Sequence, residues 1–169
     1  MTRTQQSTAL LSTGVICLLT IVTGCKTMGL KAPAAANRVR LEHVAINVAD
    51  PVKMAKWYVE HLDMQVMRQG PPPVNMRFVA DKTGNMMLEL YHNPPEAVPD
   101  YASMDPLLLH VAFLVDDVDA IRDRLIAAGA TPVGDVTVTP AGDKLAMLRD
   151  PWGLAIQFVN RADPMLSHE

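Results

Sequence analysis

The sequence predicts an α+β domain built from two successive β-α-β-β-β modules. The main observation is an internal repeat: His43 and His110 stand 67 residues apart, at the same place in two similar apolar stretches. Asp50 and Asp117 each follow these histidines by 7 residues and lead into helix-like sequence. The repeated segments are 41–48 with 108–115, and 87–91 with 155–159. A repeat of this kind indicates two equivalent modules around a shared site.

Local signals define the elements of module one, residues 40–92. A strand is predicted from Leu41 to Val48 because this stretch is apolar and rich in β-branched residues. Asp50 followed by Pro51 is typical of a helix start, and apolar residues then recur at helical spacing up to Leu62. Shorter strands are predicted at 64–68, 77–80 and 86–91.

A proline-rich connector, residues 93–106, precedes module two at 107–161. In module two a strand is predicted over 107–115, and Asp116 or Asp117 is expected to cap a helix that ends before Gly129. The remaining predicted strands are 131–138, 144–149 and 154–159. Residues 162–169 are expected to form a loosely ordered tail.

The composition favours one globular domain, residues 40–161, with a substantial apolar core. The chain has 169 residues, a formal net charge of -3 and 49% hydrophobic residues. A weakly acidic chain without a clustered basic face gives no reason to expect a nucleic-acid partner.

Residues 1–25 are typical of a bacterial secretory signal that ends in a lipobox. Arg3 precedes an apolar, uncharged stretch that ends in Val22-Thr23-Gly24-Cys25. We therefore expect lipidation of Cys25, a tether over 26–39, and export to a bacterial membrane, at its periplasmic face or the cell surface. An uncleaved anchor helix is the alternative. The only cysteines are Cys17 and Cys25, so the mature domain is expected to lack a disulfide.

Strand alternation predicts that polar residues of both modules share the sheet face opposite the helices. The uniformly apolar, β-branched side of each first strand is expected to pack beneath its helix. The polar residues on the opposite face are His43, Glu89, His110 and Gln157. Two imidazoles, a carboxylate and an amide oxygen suit one divalent metal ion: Zn, Ni, Co, Mn or Fe.

Six motifs follow one another along residues 40–160: HVAINVAD (43–50), WY (57–58), LDM (62–64), LEL (88–90), HVAFLVDD (110–117) and DPWGLAIQF (150–158). In order and spacing they resemble the vicinal oxygen chelate superfamily of glyoxalases, bleomycin resistance proteins and extradiol dioxygenases. The resemblance implies that the two modules pair so that their sheets curl around a metal cleft. It also implies that the four polar residues are the metal ligands. Relatives close this cleft within one chain or between two chains of a homodimer.

The same resemblance implies a lyase or isomerase that transfers a proton next to a metal-held carbonyl of a small-molecule substrate. Gln157 replaces the glutamate usual in the family, and an amide cannot accept a proton at neutral pH, so Glu89 is the expected base. Asn47 and Tyr91 are expected to contact the substrate. A non-catalytic binding module, like the bleomycin-binding relatives, is the alternative. Gln157 also counts against an extradiol dioxygenase, whose metal triad includes a final-strand glutamate.

Overall fold

The computed structural model describes residues 39–165. Module one contains, in chain order, β1 (His43–Asn47), α1 (Pro51–Leu62), β2 (Gln65–Gln69), β3 (Arg77–Ala80) and β4 (Met87–Tyr91). Asp50 caps α1 as predicted, because its carboxylate accepts the backbone N–H of Lys53 at 3.0 Å. The helix ends at Leu62, and the left-handed backbone of the following residue, Asp63 (φ 53°), turns the chain towards β2.

The four strands of module one form a mixed sheet in the order β1-β4-β3-β2. β1 runs parallel to β4, whereas β3 is antiparallel to both of its neighbours. β1 therefore lies at one edge of this sheet, and α1 connects it to β2 at the other edge.

Module two repeats this arrangement. Its elements are β5 (Val111–Leu114), α2 (Val118–Ala127), β6 (Thr131–Pro132), β7 (Thr137–Val138), β8 (Lys144–Arg149) and β9 (Ala155–Asn160). Asp117, one of the two predicted caps, accepts the backbone N–H of Ala120 at 3.0 Å. Gly129 follows the helix with φ 96°, a left-handed conformation that favours glycine.

The second sheet has the order β5-β9-β8-β6, with β7 also paired to β8. β5 runs parallel to β9, just as β1 runs parallel to β4. β5 therefore occupies the edge of its sheet that corresponds to the position of β1 in module one. The sequence repeat is a structural repeat.

Two predicted strands of module two are shorter in the structure. The chain forms a turn at Leu107 and Leu108, where the sequence predicted the start of a strand. The side chain of Asp105 accepts the backbone N–H of Leu107 at 2.9 Å, and its backbone carbonyl accepts that of Leu108 at 3.0 Å. The strand predicted over 131–138 is divided into β6 and β7. Gly134, with φ 73°, lies between them in a backbone conformation that a strand does not allow.

In both modules, the helix and the sheet face that packs against it contribute to one common hydrophobic core. The core residues of the helices and the sheet interiors include Ile46, Met54, Tyr58, Leu88, Leu125, Leu148, Ile156 and Phe158. Hydrogen bonds also cross between the modules. The Trp57 indole donates to the carbonyl of Ala128 at 2.9 Å, and the Arg124 guanidinium donates to the carbonyl of His61 at 3.2 Å.

The predicted α+β class and the two β-α-β-β-β modules are confirmed. Within residues 39–165 of one chain, however, the two sheets remain separate and do not join into one curled sheet. The predicted signal, the lipidation site at Cys25 and nearly all of the tether lie outside the described residues. Among the described helices, none is long and apolar enough to cross a membrane.

Candidate metal-binding half-sites

His43 and Glu89 come together on the face of the first sheet that lies opposite α1. The parallel register of β1 and β4 pairs Glu89 with Ala45, which lies two residues after His43 and on the same face of the sheet. As a result, His43 Nε2 lies 3.4 Å from Glu89 Oε2. The two side chains are 36% and 23% exposed, so solvent or a ligand can reach both.

Glu42 contacts the other ring nitrogen of the same histidine, and the sequence alone did not single it out. Its carboxylate lies against His43 Nδ1. The Glu42 hydrogen bond raises the pKa of His43; burial opposes this effect, and the charges of Glu42 and Glu89 add to it. A carboxylate on Nδ1 directs Nε2 towards Glu89 and is a common support for a metal-binding imidazole. The signal in the sequence was an acidic residue directly before the repeated histidine.

Apolar and charged side chains lie next to this pair. The ring of Phe78 contacts that of His43 edge-to-face, with 5.3 Å between the ring centres. A small cavity of about 140 Å³ lies beside them, and Glu42, Phe78 and Met87 form part of its wall. A carboxylate and an imidazole next to the ring of Phe78 can hold a cation and the apolar part of a small ligand.

The second sheet carries the other two predicted ligands, which are not brought together with the first pair. His110 directly precedes β5, and its Nδ1 lies 2.9 Å from the carbonyl oxygen of Pro106. Gln157 lies in β9 between Ala112 and Met147, and its side chain is partly exposed.

Across residues 39–165 there is no group of three or more His, Cys, Asp or Glu side chains that could hold a metal ion. His110 therefore does not join His43 and Glu89 within one chain. A complete four-ligand site does not fit the geometry of a single chain; the His43–Glu89 pair fits one half of it.

Asn47 and Tyr91, the predicted substrate contacts, lie opposite each other in the register of β1 and β4. The Asn47 side-chain oxygen accepts the backbone N–H of Asn93 at 3.0 Å, and its backbone carbonyl accepts the Tyr101 hydroxyl at 2.9 Å. These two hydrogen bonds hold the connector, residues 93–106, against the end of β1. Tyr91 is partly exposed on the same face as Glu89.

A larger cavity of about 560 Å³ runs along β5. Its walls are mostly apolar, with Phe113, Leu114 and Val159 from the sheet and Met165 from the tail. β5 itself is an edge strand, with no hydrogen-bonded neighbour on its outer side in the described part of the chain.

Asp150 is a buried acid that links the modules. Its carboxylate accepts the Tyr58 hydroxyl at 2.9 Å and the backbone N–H groups of Trp152 and Leu154 at 2.9 and 3.0 Å. Burial raises the pKa of Asp150 to about 6, and these hydrogen bonds offset part of the effect. Asp150 fixes the turn that leads into β9 and so positions the strand that carries Gln157.

Comparison with known proteins identifies relatives over most of the domain. Residues 40–158 match the sequence profile of the Glyoxalase/Bleomycin resistance protein/Dioxygenase superfamily. A probable lactoylglutathione lyase from Vibrio parahaemolyticus serotype O3:K6 (strain RIMD 2210633) is 27% identical over 126 residues, which cover 71% of this chain and 89% of that protein.

Solved structures show the same fold. TnmS3, an antibiotic binding protein from Streptomyces sp. CB03234, is 25% identical with a TM-score of 0.59, covering 75% of this chain and 98% of that one. A glyoxalase I mutant from Zea mays is 24% identical with a TM-score of 0.60, covering 73% of this chain and 46% of that one. The chain belongs to the Glyoxalase/Bleomycin resistance protein/Dioxygenase superfamily.

Proposed function

We propose that the protein is a metal-dependent lyase or isomerase of the glyoxalase type, which moves a proton next to a carbonyl group of a small substrate. The observation that supports this proposal most directly is the His43–Glu89 pair, 3.4 Å apart and accessible, with Glu42 behind the imidazole. The 27% identity to a probable lactoylglutathione lyase points to the same class of reaction.

Glu89 is the proposed base, since it is the acidic residue on the exposed face and Gln157 cannot accept a proton. The proton would pass from the carbon next to the carbonyl to a carboxylate oxygen of Glu89. In a homodimer, His43 and Glu89 of one chain and His110 and Gln157 of the other would hold a divalent ion such as Zn, Ni, Co, Mn or Fe, and this ion would polarise the carbonyl as a Lewis acid. Phe78 and Met87 would keep water away from the apolar side of the substrate.

Metal content is the first test. The purified domain is dialysed against Zn, Ni, Co, Mn or Fe salts and measured by elemental analysis, beside a His43→Ala/His110→Ala variant. We expect close to one metal ion per chain for the wild type and a large loss for the variant. Less than a tenth of an equivalent in the wild type with every metal would contradict a metal-dependent reaction.

Proton transfer itself is tested by deuterium exchange from heavy water into lactoylglutathione and small α-hydroxycarbonyl compounds. Glu89→Gln should abolish exchange and leave the fold intact, because the amide has the same shape and lacks the basic oxygen. Glu60→Gln, in an exposed glutamate of α1 that pairs only with Lys56 in the described structure, is the matched control. Retained exchange in Glu89→Gln would show that another group is the base.

A non-catalytic binding module is the second candidate function. Its support is the apolar cavity of about 560 Å³ along β5, together with the 25% identity to an antibiotic binding protein. Metal-free protein that binds an apolar antibiotic tightly by calorimetry, while catalysing no exchange with any added metal, would favour this function over the enzyme.

For the region before the domain, we propose export and lipid attachment at Cys25 to a bacterial membrane, followed by the tether at 26–39 and the domain at 40–161. The support is the sequence pattern alone: an apolar stretch followed by Val22-Thr23-Gly24-Cys25. In a bacterial host, the full chain should fractionate with membranes and incorporate labelled palmitate. Cys25→Ala should lose the label, and unchanged labelling would contradict the proposal.

A further inference from the structure

A β-bulge in β2 turns Arg68 towards the sheet face opposite α1. Val66 pairs with Val79 of β3, and regular pairing from there would place Arg68 opposite Arg77, with its side chain on the α1 side. The bulge inserts one extra residue, so Arg68 pairs with Phe78 instead and shares the face of Phe78. Bulges of this kind are common next to active sites, where they change the direction of a side chain.

The bulge also places Arg68 in one row with the proposed base. Across the sheet, Arg68 of β2 pairs with Phe78 of β3, and Phe78 pairs with Glu89 of β4. His43 lies on the same face, with its ring against that of Phe78. Neighbouring strands lie about 4.8 Å apart, so the backbones of β2 and β4 are roughly 10 Å apart in this row. Side chains from both strands can therefore reach one molecule of a few carbon atoms that lies on Phe78.

Arg68 is a cation without a charged partner in the described structure. Its side chain is exposed and forms no ion pair within residues 39–165. The guanidinium of Arg77, by contrast, donates to the backbone carbonyls of Gly70, Asn75 and Met76 at 2.8 to 3.2 Å and so holds the loop between β2 and β3. The Arg68 guanidinium keeps a planar set of donors that matches a carboxylate.

A small cavity of about 140 Å³ lies between Arg68 and the histidine half of the site. Five side chains form its wall: Glu42, Met67, Arg68, Phe78 and Met87. A water molecule takes about 30 Å³ in the liquid, so this space suits a group of roughly five atoms, such as a carboxylate with its attached carbons. The carboxylate of Glu42 contacts His43 Nδ1, whereas Arg68 is the one cation of the wall.

We infer that Arg68 binds a carboxylate of the substrate, which makes small anionic α-hydroxycarbonyl compounds, rather than neutral ones, the substrate class. The inference rests on the proposed function, because it assigns the end of the substrate that does not react. The carboxylate lies at Arg68, the carbon chain crosses Phe78, and the carbonyl lies beside His43 and Glu89. Arg68 determines specificity and takes no part in the proton transfer.

Binding tests this assignment without any reaction. The full chain, with no added metal, is titrated by NMR with δ-hydroxylevulinate and with its neutral methyl ester. The wild type should bind the acid about tenfold more tightly than the ester, as expected for one charge-assisted contact. Arg68→Gln should lose this preference, and Arg68→Lys should keep part of it because the ammonium keeps the charge without the planar donors. Lys56→Gln, the same change of charge on α1, is the matched control and should behave as the wild type.

Kinetics then separate binding from chemistry. In deuterium exchange with added Zn²⁺, Arg68→Gln should raise KM for the acid about tenfold and leave kcat nearly unchanged, because a contact to a part that does not react is equally strong in the ground and transition states. Circular dichroism checks folding of each variant.

The outcomes distinguish this inference from the proposed function. A wild type that shows no preference for the acid, or that binds neither compound, would overturn the inference. A preference that survives in Arg68→Gln would also overturn it. A wild type that binds the acid through Arg68 but exchanges no deuterium with any metal would remove the proposed function and leave the carboxylate site standing.

Discussion

Asp150→Asn tests the buried acid that joins the modules. Asp150 is 3% exposed, and burial raises its pKa from 3.8 to about 6. Since one pKa unit corresponds to about 1.36 kcal/mol, the ionised carboxylate costs the folded state up to about 3 kcal/mol at neutral pH, relative to the unfolded chain. The hydrogen bonds from Tyr58, Trp152 and Leu154 stabilise the carboxylate without fully offsetting this cost.

The direction of the pH dependence follows from these two values. As the pH falls, the folded state binds the proton near pH 6, whereas the unfolded chain binds it only near 3.8. When the pH is lowered from 7.5 to 4.5, proton binding by Asp150 therefore raises the wild-type free energy of unfolding by about 2 kcal/mol. The asparagine side chain of the variant cannot titrate, so the variant should lack this gain. Other groups, such as His43 with its raised pKa, contribute equally to both proteins and cancel in the difference.

Urea unfolding at a fixed protein concentration measures the effect at both pH values, because association would make stability depend on concentration. Asp50→Asn is the control. The backbone N–H of Lys53 donates to the Asp50 carboxylate and lowers the pKa of Asp50. The stability that ionised Asp50 provides is therefore lost only when the pH falls below the unfolded pKa of 3.8. The free energy of unfolding of Asp50→Asn should therefore change with pH as that of the wild type does between pH 7.5 and pH 4.5. If the free energy of unfolding of Asp150→Asn changed with pH as that of the wild type does, the reasoning would be refuted.

Three further substitutions test separate contacts. Tyr58→Phe removes the hydroxyl donor of the buried acid and should lower the free energy of unfolding by about 1–3 kcal/mol in urea. Gly153→Ala should cost at least about 2 kcal/mol, because φ is 88° and the new Cβ would lie 2.7 Å from the backbone nitrogen of Ala102. Glu42→Gln should weaken Zn²⁺ binding by about 10- to 100-fold in a competition titration, since the Glu42 carboxylate supports the His43 imidazole.

Matched controls separate these effects from general damage. Gly134→Ala also has a positive φ, 73°, but its new Cβ meets nothing within 4 Å, so it should lose less stability than Gly153→Ala. Glu60→Gln should leave Zn²⁺ affinity unchanged. Equal losses for the two glycine variants, or a loss of stability rather than of affinity in Glu42→Gln, would contradict the roles assigned to these residues.

The sequence predicted features that depend on neighbours along the chain. Asp50 and Asp117 were identified as helix caps because the capping bond joins residues three apart. Strand alternation was sufficient to place His43 and Glu89 on one sheet face, where the structure brings them together. The turn at Asp105, which shortens β5, depends on one side-chain and one backbone hydrogen bond that apolar periodicity does not reveal.

The relation between the modules could not be predicted in the same way. It depends on contacts far apart in sequence, such as the bond from Trp57 to Ala128 and the burial of Tyr58 against Asp150. These contacts place the helix-bearing sides together and keep β1 and β5 in separate sheets. The repeat predicted a site shared by the two modules, but only the packing shows that His110 lies apart from the His43–Glu89 pair within residues 39–165.

A crystal structure of the Zn²⁺-loaded protein, with anomalous scattering recorded at the zinc edge, tests the central claim most directly. We predict a zinc peak between two protomers, bound by His43 and Glu89 of one protomer and by the equivalents of His110 and Gln157 from the other. A zinc ion bound by all four residues of one chain, or bound only away from His43 and Glu89, would contradict this account.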